Sequence, residues 1–247
     1  MLSVEKLAAL DLSVWLRSGH EAATRLRVTQ PNVSRRVRQA LQRFELQLMK
    51  RDEEWELEGS ALGQELLGME RQVHQMARWM GHAPLRIEGT YWSGPLLLSP
   101  EPQGWVVGCC NVVGIEKPLR WLRQGVIDAW LAGGPDWPEP DDPEFTVIAL
   151  CHMPLHVVVA PGHPLLRELG LWNSPSRMHR YRRSLWEGKS EQELAVGYAT
   201  VLSEQVAGAL VLRRPWAEHP AIATLTALLH QRLQPLAVRH PELVLVS

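Results

Sequence analysis

Apolar positions in the N-terminal third recur every three or four residues, the period of helices with one buried face. Leu7, Leu10 and Val14, continued one turn on by Ser18 and widened by Leu12, Trp15 and Leu16, predict a helix over 4–18 that Gly19 ends. A short second helix is expected from about His20 to Leu26, where Ala22 and Ala23 leave room for a neighbour. Arg27 and Val28 then turn the chain, with Val28 as a core plug. Thr29 is the expected N-cap of a third helix, and Pro31 sits in its first turn, where a missing N–H costs nothing. In that helix Val33, Val37, Leu41 and Phe44 form one stripe. After Ser60, a second N-cap candidate, Leu62, Leu66, Met69, Val73, Met76 and Met80 alternate spacings of four and three, a heptad seam. Such a seam either pairs with a second helix or packs on its own domain.

Gly81 and Pro84 punctuate a boundary. Beyond it, short apolar runs at 85–89, 104–113, 126–132, 145–150, 155–160 and 209–213 read as strands, and 117–124 and 217–236 as helices. This alternation implies an α/β domain with a largely parallel sheet.

Composition narrows the class. Hydrophobic residues make up 45% and charged residues 21% of 247, as in ordinary soluble proteins. No apolar run approaches the roughly 18 residues a membrane span needs. Glu5, Lys6 and Asp11 make the N-terminus read as a helix start and not a signal peptide, so a cytoplasmic protein with no membrane partner is expected. Cys109, Cys110 and Cys151 are odd in number and two are adjacent, which reads as buried thiols and not a disulfide framework. The eleven tryptophans, among them Trp92, Trp105, Trp121 and Trp130, read as core. His152 and His156 do not read as a metal pair. No nucleophile elbow, phosphate loop or zinc spacing points to an enzyme.

The net charge of −1 hides an asymmetry. Residues 1–51 hold ten basic side chains and four acids, a net of +6, and residues 52–58 then hold five acids. A basic segment on a neutral chain suits nucleic acid. The third helix opposes its apolar stripe with Gln30, Asn32, Ser34, Arg35, Arg36, Arg38 and Gln39. Gln and Asn can bond adenine bidentately, Arg can bond guanine, and Ser34 and Thr29 can hold phosphates. A plain amphipathic helix with a solvated basic face is the competing reading.

The run AATRLRVTQPNVSRRVRQAL (22–41) followed by LQLMKRD (46–52) resembles the winged helix-turn-helix of LysR-type transcriptional regulators. The resemblance implies DNA contacts from Gln30, Pro31, Ser34 and Arg35, with Arg51 as the wing arginine. It departs at the wing, where Asp52, Glu53, Glu54, Glu56 and Glu58 replace basic or neutral residues and would repel phosphates. It favours the pairing of linker helices into a dimer, hence an inverted-repeat site. LRIEGT (85–90), LRWLRQGVIDAWLAGGP (119–135) and LHVVVAPGHPL (155–165) resemble pieces of the family's effector domain, a two-lobed fold like periplasmic binding proteins.

The expected architecture is therefore an all-α winged helix-turn-helix domain (1–58), a linker and dimerisation helix (59–82), and a truncated α/β domain of type 2 periplasmic-binding-protein-like fold (83–247). The long helix the family places after its first strand is missing or vestigial, since 94–105 is short and carries three prolines. Residues 166–208, with Arg177, Arg180, Arg182 and Arg183, look too short for a full second lobe. If a small-molecule effector binds, Thr90 and Ser93 after the first strand are its expected contacts. Expected partners are double-stranded DNA, further copies of this chain (homodimer or homotetramer) and RNA polymerase, with no cofactor. An alternative makes the shortened domain an assembly module and the regulator effector-independent.

Overall fold

The computed structural model describes residues 3–51, 54–90, 93–112, 114–133, 142–159, 198–239, 241 and 243–246, apart from the side chains of 51, 54, 153–159 and 198–207. Three helices come first: α1 (Val4–Trp15), α2 (Gly19–Leu26) and α3 (Gln30–Phe44). The expected stop at Gly19 is corrected. Helix α1 ends at Trp15, Arg17 takes a left-handed conformation (φ 54°), and Gly19 opens α2. The reason is local: the Ser18 hydroxyl accepts the Glu21 N–H at 3.1 Å and so caps the next helix instead of extending the first. In α3, Val33, Ala40 and Phe44 are buried, and Val37 and Leu41 are half-buried.

Glu45 (φ 54°) turns the chain into β1 (Leu46–Arg51), antiparallel to β2 (Glu54–Gly59), with Leu46 opposite Gly59 and Arg51 opposite Glu54. The N-terminal part is therefore not all-α: a two-stranded hairpin follows the three helices. The acids Asp52 and Glu53 lie outside the described residues. Helix α4 (Ala61–Trp79) is capped by Ser60, whose hydroxyl accepts the Gly63 N–H at 3.1 Å.

The α/β part contains β3 (Leu85–Gly89), α5 (Ser93–Leu97), β4 (Trp105–Val107), α6 (Glu116–Arg123), β5 (Ala129–Gly133), β6 (Phe145–Val159), β7 (Tyr198–Arg213), α7 (Pro220–Arg239) and β8 (Val244–Leu245). The strand order is β4-β3-β5-β7-β6-β8. Among the described residues only β4-β3-β5 is parallel, so the sheet is mixed and not largely parallel. The correction arises at 145–160, where the two expected strands are one. Pro154 marks a register shift instead of a break, and β6 pairs with β7 as a long antiparallel ribbon. The vestigial helix of the sequence reading is α5, five residues long. Most of 166–208, including Arg177, Arg180, Arg182 and Arg183, lies outside the described residues, as does Trp92. Among the described residues no helix is long and apolar enough to cross a membrane.

Every residue of β3 and β5 is buried, because both faces of the sheet are covered. One face packs Leu85, Ile87, Leu131, Leu210 and Leu212 against Leu97 and Leu98 and against Ile222, Leu225, Leu229 and Leu233 of α7. The other packs Trp130, Val211 and Phe145 against Leu119, Trp121 and Leu122 around α6, and against Ala9, Leu12, Trp15 and Leu16 in and after α1. A third cluster joins Leu7 and Leu10 to Ala40, Phe44, Leu46 and Leu67. Helix α1 thus has two apolar faces, one for the other helices and one for the sheet.

Candidate nucleic-acid interface

Helix α3 turns its apolar stripe into the molecule, and this sets what faces solvent. Gln30, Pro31, Ser34, Arg35, Arg38 and Gln39 are exposed, Asn32 and Arg36 are half-buried, and Thr29 is exposed at the N-cap position. The Thr29 hydroxyl caps no backbone N–H of the helix. The helix carries four arginines and no acid in its first turn, and Arg43 in its last turn complements the negative end of the helix dipole. Asn32 Oδ1 accepts from Arg35 Nη2 at 3.0 Å, one turn apart, which orders that guanidinium while leaving it further donors. Arg36 differs from the other predicted contacts: its Nη2 lies 2.6 Å from Glu5 on α1. Arg51 falls in β1, with its side chain outside the described residues.

The arrangement is an exposed helix end bearing amide, hydroxyl and guanidinium groups on a rigid base. Helices of this radius fit a major groove, and these side chains match base edges and phosphates. The hairpin β1–β2 flanks the helix, with Lys50 exposed opposite Trp55.

Helix α4 keeps its apolar seam outward. Leu62, Leu66, Met69, Val73, Met76 and Met80 are each 42–74% exposed. Its inward face is polar: Gly63, Leu67, Arg71, His74, Gln75, Arg78 and Trp79 are buried. Arg78 donates to Asp128 from Nε at 2.7 Å and from Nη2 at 2.9 Å, and also to the Gly125 carbonyl at 2.7 Å. Arg71 Nε donates to Asp11 at 2.8 Å. The seam and Phe44 and Arg43 of α3 line a shallow groove of about 220 Å³. Sequence reading found the seam but missed this polar face, because periodicity counts apolar residues. One signal was available: Asp11 is a lone charge inside the apolar run 7–16, a position that calls for a buried partner.

Thr90 and Ser93 come together at the C-terminal end of β3, both buried. Their hydroxyls lie 2.8 Å apart, the Thr90 N–H donates to Ser93 Oγ at 3.1 Å, the Ser93 N–H donates to Thr90 Oγ1 at 3.2 Å, and Ser93 Oγ donates to the Leu131 carbonyl at 3.1 Å. Next to them Glu88 accepts from the Trp15 indole at 2.7 Å and from the Cys110 N–H at 2.7 Å. Burial pushes the Glu88 carboxyl above its ordinary range, against the pull of those donors. Cys110 and Cys151 are the expected buried thiols, and burial pushes the Cys110 thiol up to about 12. Cys109 corrects the expectation: it is exposed, because Cys110 takes a left-handed conformation (φ 53°) and itself turns inward. Among the described residues no group of acids, histidines and cysteines is placed to hold a metal.

No protein-family model and no curated protein matches the chain. Several solved structures align with most of its length. Full-length OxyR from Pseudomonas aeruginosa shares 16% identity, with 95% of this chain and 98% of that one covered and a TM-score of 0.49. ArgP from Mycobacterium tuberculosis shares 16%, covering 94% and 97%, with a TM-score of 0.43. CrgA, a LysR-type transcriptional regulator from Neisseria meningitidis, shares 16%, covering 92% and 98%, with a TM-score of 0.42.

Proposed function

We propose that the chain is a sequence-specific DNA-binding transcriptional regulator of LysR type, with a winged helix-turn-helix head over 1–58, a dimerisation helix over 59–82 and a regulatory α/β domain over 83–247. The observation that carries this reading is the solvent face of α3, where Gln30, Ser34, Arg35 and Arg38 stand exposed on a helix whose other face is locked in the core. Gln30, Asn32 and Arg35 read bases, Thr29, Ser34 and Arg38 hold phosphates, and Pro31 fixes the start of the helix. Arg36 reaches DNA with the donors its contact to Glu5 leaves free, and Arg51 reaches the minor groove from the wing.

The exposed seam of α4 supports self-association. Six large apolar side chains on one helix face form a patch of the kind that marks a protein interface. Pairing two seams yields a two-fold dimer and an inverted-repeat operator, and a homotetramer follows from a second contact. RNA polymerase is the downstream partner in this reading. An effector acting through Thr90 and Ser93 has to replace the hydrogen bonds these residues make with each other and with Leu131.

The test compares wild type with Arg35→Ala and Ser34→Ala on DNA that the wild type selects and on scrambled DNA. Arg35→Ala is expected to lose about 1–3 kcal/mol on the selected sequence and to flatten discrimination, whereas Ser34→Ala weakens both sequences alike. Equal affinity of the wild type for selected and scrambled DNA would overturn the reading.

A further inference from the structure

The second face of α1 meets the sheet through two polar pairs as well as apolar contacts. Asp11 and Trp15 are one helical turn apart, about 6 Å along the axis. Arg86 and Glu88 are alternate residues of β3, about 6.6 Å apart and on the same face. The two spacings match, and the pairs form. Trp15 Nε1 donates to Glu88 Oε2 at 2.7 Å, and Arg86 Nη1 lies 3.5 Å from Asp11 Oδ2. Asp11 Oδ1 takes Arg71 of α4, and Arg86 Nη1 also donates to the Val126 carbonyl at 3.0 Å. Asp128 closes the network through Arg78, Gln75 at 3.1 Å and the Arg86 N–H at 2.9 Å.

Asp11, Arg71, Arg78, Arg86, Glu88 and Asp128 are all buried. At Gly108 a Cβ would stand 2.3 Å from Glu88 Oε2 and 2.8 Å from the Trp15 ring, so the contact is closed to water from that side. Charges sealed in this way cannot be parted without being stranded, which makes the contact far stiffer than a flexible tether.

We propose that α1 is built into the α/β domain as a sheet-covering helix, so that head and domain move as one body, with Asp11 and Trp15 as positioning residues that fix the separation at which a dimer presents its two α3 helices. The proposal rests on the reading of α3 as the DNA-binding helix. Its consequence is strict operator spacing. One added base pair shifts a half-site by about 3.4 Å and turns it by about 35°, and a locked head cannot follow. A change in the sheet also passes straight to α1 without travelling through α4.

The test uses the full chain in two measurements. Hydrogen exchange followed by mass spectrometry is expected to show wild-type amides of α1 and α3 opening together with those of β3 and β5. In Asp11→Asn/Trp15→Phe, which removes the Asp11 charge and the Trp15 donor while keeping an aromatic ring at 15, the head amides should exchange about tenfold faster or more while β5 keeps its protection. Binding is then measured to duplexes carrying the selected inverted repeat with its spacer changed by one or two base pairs, and to a single half-site. The wild type should lose about tenfold or more in affinity per base pair moved, and the variant should bind all spacers alike with unchanged half-site affinity. Independent opening of the wild-type head, or equal wild-type affinity for every spacer, overturns the proposal. A variant with the wild-type spacing preference overturns the role of Asp11 and Trp15. Failure to bind any duplex refutes the DNA-binding reading and the spacing role with it, while the exchange measurement still decides whether the head is locked.

Discussion

Substitution Asp128→Ala separates a buried ionic joint from surface charge pairing. Asp128 is 1% exposed and accepts two hydrogen bonds from Arg78, one from Gln75 and one from the Arg86 backbone. Removing the carboxylate leaves the Arg78 guanidinium buried with the Gly125 carbonyl as its remaining partner. Breaking one side of a buried pair costs about 3–5 kcal/mol, mostly because the survivor stays desolvated. The Arg123–Glu144 bridge at 2.7 Å is the internal control, since its side chains are 48% and 37% exposed. Such a pair contributes about 0–1 kcal/mol, so Glu144→Ala should change little. At roughly 2–4 °C per kcal/mol for a protein of this size, Asp128→Ala lowers Tm by about 6–20 °C. The assay is urea and thermal unfolding followed by tryptophan fluorescence and circular dichroism. The double substitution Asp128→Leu/Arg78→Met removes both charges and should recover much of the loss, because replacing a buried pair is far cheaper than breaking it. An Asp128→Ala effect within about 1 kcal/mol of Glu144→Ala would refute the network as a stabilising element.

Two further outcomes follow from single positions. Gly63 lies where a Cβ would come 2.1 Å from the Phe44 carbonyl oxygen, so Gly63→Ala forces α4 away from the end of α3 and should cost about 1–3 kcal/mol by denaturant unfolding; a neutral result would place the two helices further apart. His74 is held below its ordinary pKa first by burial, with Asp11 and Glu70 opposing and Arg78 and Arg86 reinforcing. A base with a depressed folded pKa contributes stability that is present above 6.5 and lost as pH falls through the folded value, since the unfolded chain binds the proton first. Urea midpoints of the wild type should therefore decline on acidification below 6.5, and His74→Gln should decline less; identical slopes would contradict the assignment.

Helix α3 was legible because one set of residues fixes its ends and its orientation: Pro31 at the start, the stripe from Val33 to Phe44, and the polar residues left over. The turn at 16–19 was misread because Ser18 and Gly19 each serve as stop or start signals, and only the Ser18 bond to Glu21 decides between them. The widened stripe of Leu12, Trp15 and Leu16 was visible, but its partner was not. A second apolar face says that something covers it, not that the cover is a sheet seventy residues away in sequence. The inward face of α4 stayed hidden for a related reason. Arg71, Gln75 and Arg78 look like a solvated face in sequence and become a buried one only when Asp11 and Asp128 arrive from other elements. The sheet was taken as parallel because β6 reads as two strands around Pro154 and the first part of β7 shows no strong alternation.

The central claim is that α3 reads DNA as part of a two-fold dimer. Incubating the full-length protein with fragmented genomic DNA at near-physiological salt, recovering the bound fragments and sequencing them tests it most directly. The account predicts enrichment of one inverted-repeat sequence whose half-sites lie at a single spacing. Recovery of a folded dimer with no enriched sequence, or of fragments bound without regard to sequence, would contradict it.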